Sequence, residues 1–389
     1  VTTREIGIIL NGATGGICSK QHIGNSLVPI IQEGGLPVGD DVVVPKLLLV
    51  GRNEGKLAAV ANANGLDAWT TDLDAALADE DYPIFFDAAS THLRPGFLRK
   101  ALEAGKHIYT EKPVSPSVEE GLAFLKDVRA AGIKHGAVED KIHLPGFRKL
   151  AHLVDQGFFG RIVGFRLDFG WWVFNGIDRA SQRPSWNYQK AGGGGILSDM
   201  YPHWRYVVES MLGPISEIVA STWIAQDKRV DEAGKPFDVD VEDSASVIFR
   251  MANGAVGTIQ SSWATRVKRD DMFTMQIDGT KGSAVCGLRH CYSQTLEESH
   301  LITGSNIGKD EADMKVAVNY HEDWKKVPAP GPYKNSYRVG WEKFLAHVHA
   351  DEPMPSDLAA GIRDVQLAEA CLTSAAEDRW VSMAPFEED

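Results

Sequence analysis

Residues 5–22 read EIGIILNGATGGICSKQH, and the organisation of the whole chain can be read outward from them. EIGIILN (5–11) is a short apolar run closed by a glycine-rich turn, which predicts a buried strand. The apolar spacing beyond the turn is helical to about Glu33. A glycine-rich turn between a first strand and a first helix lets backbone N–H groups approach a pyrophosphate, which the positive end of the helix favours. The glycines are Gly12, Gly15 and Gly16 in the form GxxGG, with Cys18 where a GATGxxG pattern would carry its last glycine. Such a turn also occurs without a ligand, and its place at the head of a strand–helix alternation is what points to a dinucleotide.

That alternation continues. KLLLVG (46–51), PIFFDAA (83–89), HIYTEKP (107–113) and IKHGAVE (133–139) read as strands. Helical segments separate them, with Gly105 expected as a left-handed cap and 34–45 as an inserted loop. Strand–helix alternation implies parallel pairing through right-handed crossovers, hence a doubly wound sheet. After Glu139 the texture changes. One helix (144–156) precedes long β-type runs at 161–174, 216–226, 244–251, 254–264 and 273–287, with Asn-Gly (253–254) and Asp-Gly (278–279) as hairpin turns. Helices are expected near 337–350 and 357–380, and 303–335 reads as irregular. The fold class is therefore α/β: a Rossmann domain at 1–138, then an α/β domain at 139–389 with a large open, mostly antiparallel sheet.

Composition narrows the function. Forty Lys+Arg against 53 Asp+Glu leave a net charge of −13 in 389 residues, the wrong sign for a nucleic-acid or anionic-membrane surface. No run approaches the roughly 18 apolar residues of a membrane span. The first residues lack the pattern of a secretion signal, and four cysteines without CxxC spacing suggest reduced thiols, so a cytoplasmic protein is expected.

Two short segments carry the chemistry. EKP (111–113) follows directly on a parallel strand, where ligands of such sheets bind. Lys112 would thus point into the crevice and hydrogen-bond a substrate hydroxyl, although a lone EKP is more often a surface turn. AGGGGILSDMYPHWRYVVESMLG (191–213) places Asp199 and His203 four residues apart, on one face of a helix. A histidine beside a carboxylate can act as general acid–base, though an arbitrary DxxxH is more often a surface pair. Pro202 fits a regular helix there only within its first turn. At the tip of the second strand stand Gly51, Arg52 and Asn53, with no acid for an adenine ribose. Arg52 inclines the site toward NADP, with use of both dinucleotides open.

The glycine turn, ALEAGKHIYTEKP (101–113), DQGFFGRIVGF (155–165) and GGGILSDMYPH (193–203) together resemble the Gfo/Idh/MocA oxidoreductase family, which includes glucose–fructose oxidoreductase and inositol dehydrogenase. The resemblance spans nearly the whole chain. It implies an NAD(P)-dependent dehydrogenase or reductase acting on CH–OH of a sugar, glycoside or cyclitol. Lys112 would lie beside nicotinamide and substrate, Asp199 and His203 would complete the site, and the histidine would take the hydroxyl proton. It also implies homodimers or homotetramers formed through the C-terminal sheet. The cofactor candidates are Gly12, Thr14, Gly15, Gly16, Arg52, Asn53, Ser90, Glu111 and Lys112. The substrate candidates are Lys112, Lys141, His143, Trp186, Asp199 and His203, and no metal is expected.

The chain departs from the family pattern in its GxxGG turn and in VEDKIHLPG (138–146), where Glu139, Lys141 and His143 are candidate substrate contacts. Trp171, Trp172, Phe174, Trp186, Tyr188 and Trp204 form a candidate platform for a sugar ring, although such residues are as often core. The alternatives are a glycosidase of the same family working by transient oxidation, a non-catalytic sugar or dinucleotide sensor, and a metal-dependent isomerase using Glu139, Asp140, Asp199 and His203.

Overall fold

The computed structural model describes residues 2–269, 271–299 and 323–386. The first sheet uses β1 (Thr2–Asn11), β2 (Leu36–Val38), β3 (Asp41–Val50), β4 (Trp69–Thr70), β5 (Ile84–Asp87), β6 (His107–Thr110) and β7 (His135–Ala137). Its order is β2-β3-β1-β5-β6-β7, with β4 also on β3. Every pair is parallel except β2–β3. From β1 the chain moves to β3 on one side and β5 on the other, so the strand order reverses at β1. Asn11, Val50, Asp87 and Thr110 end their strands in one row, which brings the segments that follow them to one edge.

Residues 18–27 after the glycine turn form a π-helix that runs into α1 (Val28–Gln32). The other helices of this region are α2 (Glu54–Asn64), α3 (Leu73–Ala78), α4 (Arg94–Glu103) and α5 (Val118–Ala131). Their ends follow local chemistry: Ser117 accepts the Glu120 N–H at the start of α5, and Gly132 closes it at φ +67°. Gly105 takes the expected left-handed conformation, φ +66°.

The expected loop at 34–45 is instead the β2–β3 hairpin. β2 pairs only to Val43, so Pro45 sits where the outer edge of β3 has no ladder partner to lose.

The second sheet begins after α6 (Pro145–Asp155). It contains β8 (Ile162–Gly170) and β9 (Ile215–Trp223), the latter following α7 (Ile196–Leu212). A small separate hairpin, β10 (Lys228–Val230) and β11 (Pro236–Asp238), precedes β12 (Ser244–Met251), β13 (Val256–Ser262), β14 (Phe273–Gly279), β15 (Gly282–Cys286), β16 (Cys291–Thr295) and β17 (Lys325–Lys326). Then come α8 (Ser336–Ala350), α9 (Leu358–Glu377) and β18 (Val381–Ser382). The nine strands run β17-β16-β15-β14-β8-β13-β12-β9-β18, antiparallel apart from β8–β13. The run at 161–174 stays a strand only to Gly170. Asp278–Gly279 is not the turn either: β14 continues through Gly279, packed so tightly on Phe159 that a Cβ would lie 2.2 Å from its carbonyl oxygen, and Thr280–Lys281 make the turn. Of the stretch expected to be irregular, 303–322 lies outside the described residues.

Position 138/139 divides the two large sheets, whereas the compact units are discontinuous. The first comprises Val1–His143, Trp186–Tyr206 and Tyr333–Leu372; the second comprises Leu144–Ser185, Val207–Pro332 and Thr373–Asp389. The core of the first unit packs β1, β3 and β5 residues such as Ile8, Leu49 and Phe86 against Trp341 and Phe344 of α8. Among the described residues no helix is long and apolar enough to cross a membrane.

Candidate active site

At the carboxyl edge of the parallel sheet, within the first unit, lies a crevice of about 950 Å³. Its wall includes Gly15–Ile17 after β1, Ala88–His92 after β5 and Pro113–Pro116 after β6. The segments after β1 and β5 flank the point where strand order reverses, where ligands of open parallel sheets bind. Gly12 has φ +78°, and a Cβ there would meet the Ala89 amide at 2.7 Å. A Cβ on Gly16 would meet nothing within 4 Å, so this position faces open space beside the first helical turn. Room over a glycine backbone at a helix start fits a pyrophosphate.

Two of these segments are tied by a group that the sequence did not single out. Arg94 donates to Asp87 (2.9 Å), to the Pro113 carbonyl (2.6 Å) and to the Ala89 carbonyl (3.1 Å). Asp87 also accepts from Asn11 at 2.9 Å. Burial raises the Asp87 carboxyl above its usual range, against the opposing pull of Arg94 and Asn11.

Lys112 and Asp199 come together. The Lys112 ammonium donates to Asp199 Oδ1 and to the Asp199 carbonyl, both at 2.8 Å, and the two side chains are each 15% exposed. Asp199 and His203 share α7. Pro202 is the seventh residue of that helix, beyond its first turn, and the helix runs through it. Without an N–H it leaves the Ser198 carbonyl without its helical donor, and both residues stand on the crevice wall. That wall therefore carries Pro113, Ser198 and Pro202, the direct neighbours in sequence of Lys112, Asp199 and His203.

Glu111 points elsewhere. Trp341 Nε1–H donates to His22 Nδ1 at 3.0 Å; because tryptophan only donates, His22 carries its proton on Nε2 and gives it to Glu111 Oε1 at 2.9 Å. Glu111 Oε2 accepts the Lys112 amide at 3.2 Å. Burial opposes ionisation of Glu111, yet His22, Lys112 and Arg94 together hold its carboxyl below the usual range. Both oxygens thus steady the EKP segment.

Asn53 also serves the architecture, accepting the Lys56 N–H at 2.9 Å as the N-cap of α2, while Arg52 beside it is exposed. Thr14 lies within the glycine turn, and Ser90 on the crevice wall. Trp186, 47% exposed, lines the same crevice as Gly15 and Gly16. Tyr188, Trp204 and Phe174 are buried and present no platform face. Lys141 pairs with Asp140 at 2.5 Å and lies over the Tyr337 ring, and Glu139 pairs with Arg205. His143 ends the short turn that carries Lys141. Among the described residues no three His, Cys, Asp or Glu side chains are grouped to hold a metal.

Comparison with known proteins identifies the family. Residues 46–136 match the oxidoreductase family with an NAD-binding Rossmann fold, and 147–285 match the GFO/IDH/MocA C-terminal domain. The chain is 40% identical over 386 residues to D-xylose dehydrogenase of Paenarthrobacter nicotinovorans, covering 98% of each. It is 27% identical over 351 residues to levoglucosan dehydrogenase of Pseudarthrobacter phenanthrenivorans, 84% of this chain and 86% of that one. A solved levoglucosan dehydrogenase in complex with NADH and levoglucosan shares the fold, with a TM-score of 0.78 at 22% identity over 98% of this chain and 100% of that one. This chain belongs to the Gfo/Idh/MocA family of oxidoreductases. It is a dehydrogenase of the NAD(P)-dependent type that acts on CH–OH groups.

Proposed function

We propose that this chain oxidises a secondary hydroxyl of a sugar, glycoside or cyclitol, reversibly, with D-xylose the first substrate to test. The observation that carries this reading is the Lys112–Asp199 pair, next in sequence to Pro113 and Ser198 of the crevice wall, with Asp199 one helical turn before His203 in α7. When bound, the dinucleotide supplies the hydride acceptor. Gly12, Gly15 and Gly16 would hold its pyrophosphate and Ser90 would contact it, while Trp186 on the same wall would face the substrate.

His203 would take the O–H proton of the carbinol as the carbinol carbon becomes a carbonyl, and would return it in the reverse direction. Lys112 donates to the substrate oxygen and stabilises its developing negative charge, and Asp199 holds the ammonium in place. Arg52, exposed at the tip of β3, favours a 2′-phosphate, so we assign NADP use alongside NAD. We also assign homo-oligomer formation to the open face of the second sheet, where Arg166, Ile248 and Val256 are exposed.

The test is a panel of monosaccharides, glycosides and inositols with NAD and NADP, followed by nicotinamide absorbance. Lys112→Met and His203→Ala should each lower turnover by about two orders of magnitude on the best substrate, the scale of lost acid–base catalysis. Full activity in both variants would refute these roles.

A further inference from the structure

The contacts behind His203 fix more than its position. His203 Nδ1 lies 2.7 Å from the Tyr206 hydroxyl. That hydroxyl lies 3.2 Å from Asp140 Oδ1 and accepts the Lys141 backbone N–H at 3.2 Å. Tyr206, Asp140 and His203 are all buried, 1%, 5% and 6% exposed. A phenol has one proton and two lone pairs, and a carboxylate can only accept. The proton of Tyr206 therefore goes to Asp140, and its lone pairs receive Lys141 N–H and His203 Nδ1–H. The reverse arrangement, with Tyr206 donating to the ring, would set two acceptor oxygens against each other in a site sheltered from water. Burial, then the charge of Asp140, raise the Tyr206 phenol far above its usual value against the pull of the Lys141 amide, so it remains a donor.

We propose that Tyr206 and Asp140 form a positioning relay for His203, holding the neutral imidazole with its proton on Nδ1 and its lone pair on Nε2, the atom that receives the substrate proton. As the ring becomes imidazolium, Asp140 balances its charge through the phenol. This rests on His203 being the base in the reading above. The charged groups around the relay are Lys141 beside Asp140, Arg205 with Glu139 and Asp364, the Lys112–Asp199 pair, and Lys343 of α8 near Glu139.

The test combines spectroscopy and kinetics. In long-range ¹H–¹⁵N spectra of histidine-labelled protein, with His203 identified by its absence in His203→Asn, the wild type should show a protonated Nδ1 and a bare Nε2. Tyr206→Phe should move the proton to Nε2, wholly or in part. It should lower kcat by about tenfold or more, the usual cost of losing a group that orients an active-site histidine, with KM little changed. Asp140→Asn keeps an acceptor for the phenol, so the tautomer should persist while the acidic limb of kcat/KM moves to lower pH. A wild-type ring protonated on Nε2 would overturn the relay, as would Tyr206→Phe with unchanged tautomer and kcat. A chain that turns over no sugar or cyclitol would overturn the functional reading, and the spectra would still decide the relay.

Discussion

Lys112–Asp199 in the first unit and Arg229–Asp243 in the second both join an aspartate to a cation, yet their surroundings differ. Arg229 and Asp243 have no exposed side-chain surface. Arg229 also donates to the Phe174 and Asn175 carbonyls, while Asp243 accepts from the Ala225 and Gln226 amides and from the Ser244 hydroxyl. Such a pair, wrapped in hydrogen bonds by a planar guanidinium, locks segments before and after β9 together. Lys112 and Asp199 keep some exposure, and a lysine is a point charge that can redirect one of its three donors toward a ligand. Complete burial marks the architectural pair; partial exposure marks the one we propose to meet the substrate.

Breaking each pair should give opposite results. Asp243→Ala leaves a buried guanidinium uncompensated and should cost roughly 3–5 kcal/mol of stability. Lys112→Met, expected to lower turnover by about two orders of magnitude, should cost less stability than Asp243→Ala, because both members of its pair keep some exposure. Denaturant melts of both variants check this, and equal losses would erase the distinction. Next in size is Arg52, an exposed cation at the tip of β3. Arg52→Ala should lower kcat/KM for NADP about tenfold, the worth of one charge-assisted contact, with little change for NAD.

The smallest effect concerns His107 and His135, at the opposite edge of the parallel sheet. Their Nδ1 atoms accept the Lys134 and Leu358 amides. Burial first, then Lys134 and His347, lower His107; burial, only partly offset by Asp357, lowers His135. A histidine lowered on folding binds fewer protons folded than unfolded, so its contribution is present above about pH 6.5 and is lost as pH falls toward the folded value. The melting temperature should therefore decline below that pH, and His107→Gln with His135→Gln should flatten the decline.

Much of the fold was legible because it depends on local periodicity. Apolar runs after turns gave β1, β5 and β6, and the terminal helices fell within a few residues of expectation. Misreadings came where a local signal meant something else in context. The stretch 34–45 read as a loop but forms the β2–β3 hairpin, and Asp278–Gly279 suggested a turn until Phe159 claimed the space beside Gly279. The site divides in the same way. Lys112, Asp199 and His203 carry chemistry in their types and spacing, whereas Glu111 looked like a cofactor contact and is turned to His22, 89 residues earlier.

The sequence by itself determined the order of strands and helices, the glycine turn and the residues able to move a proton, because each is set within a few neighbouring positions. Tertiary structure alone decided which nitrogen of His22 carries a proton, what stands behind His203 and which carboxylates are already engaged. Those outcomes depend on partners such as Trp341 or Asp140, which lie 319 residues from His22 and 66 from Tyr206 and are brought into reach only by the packed fold.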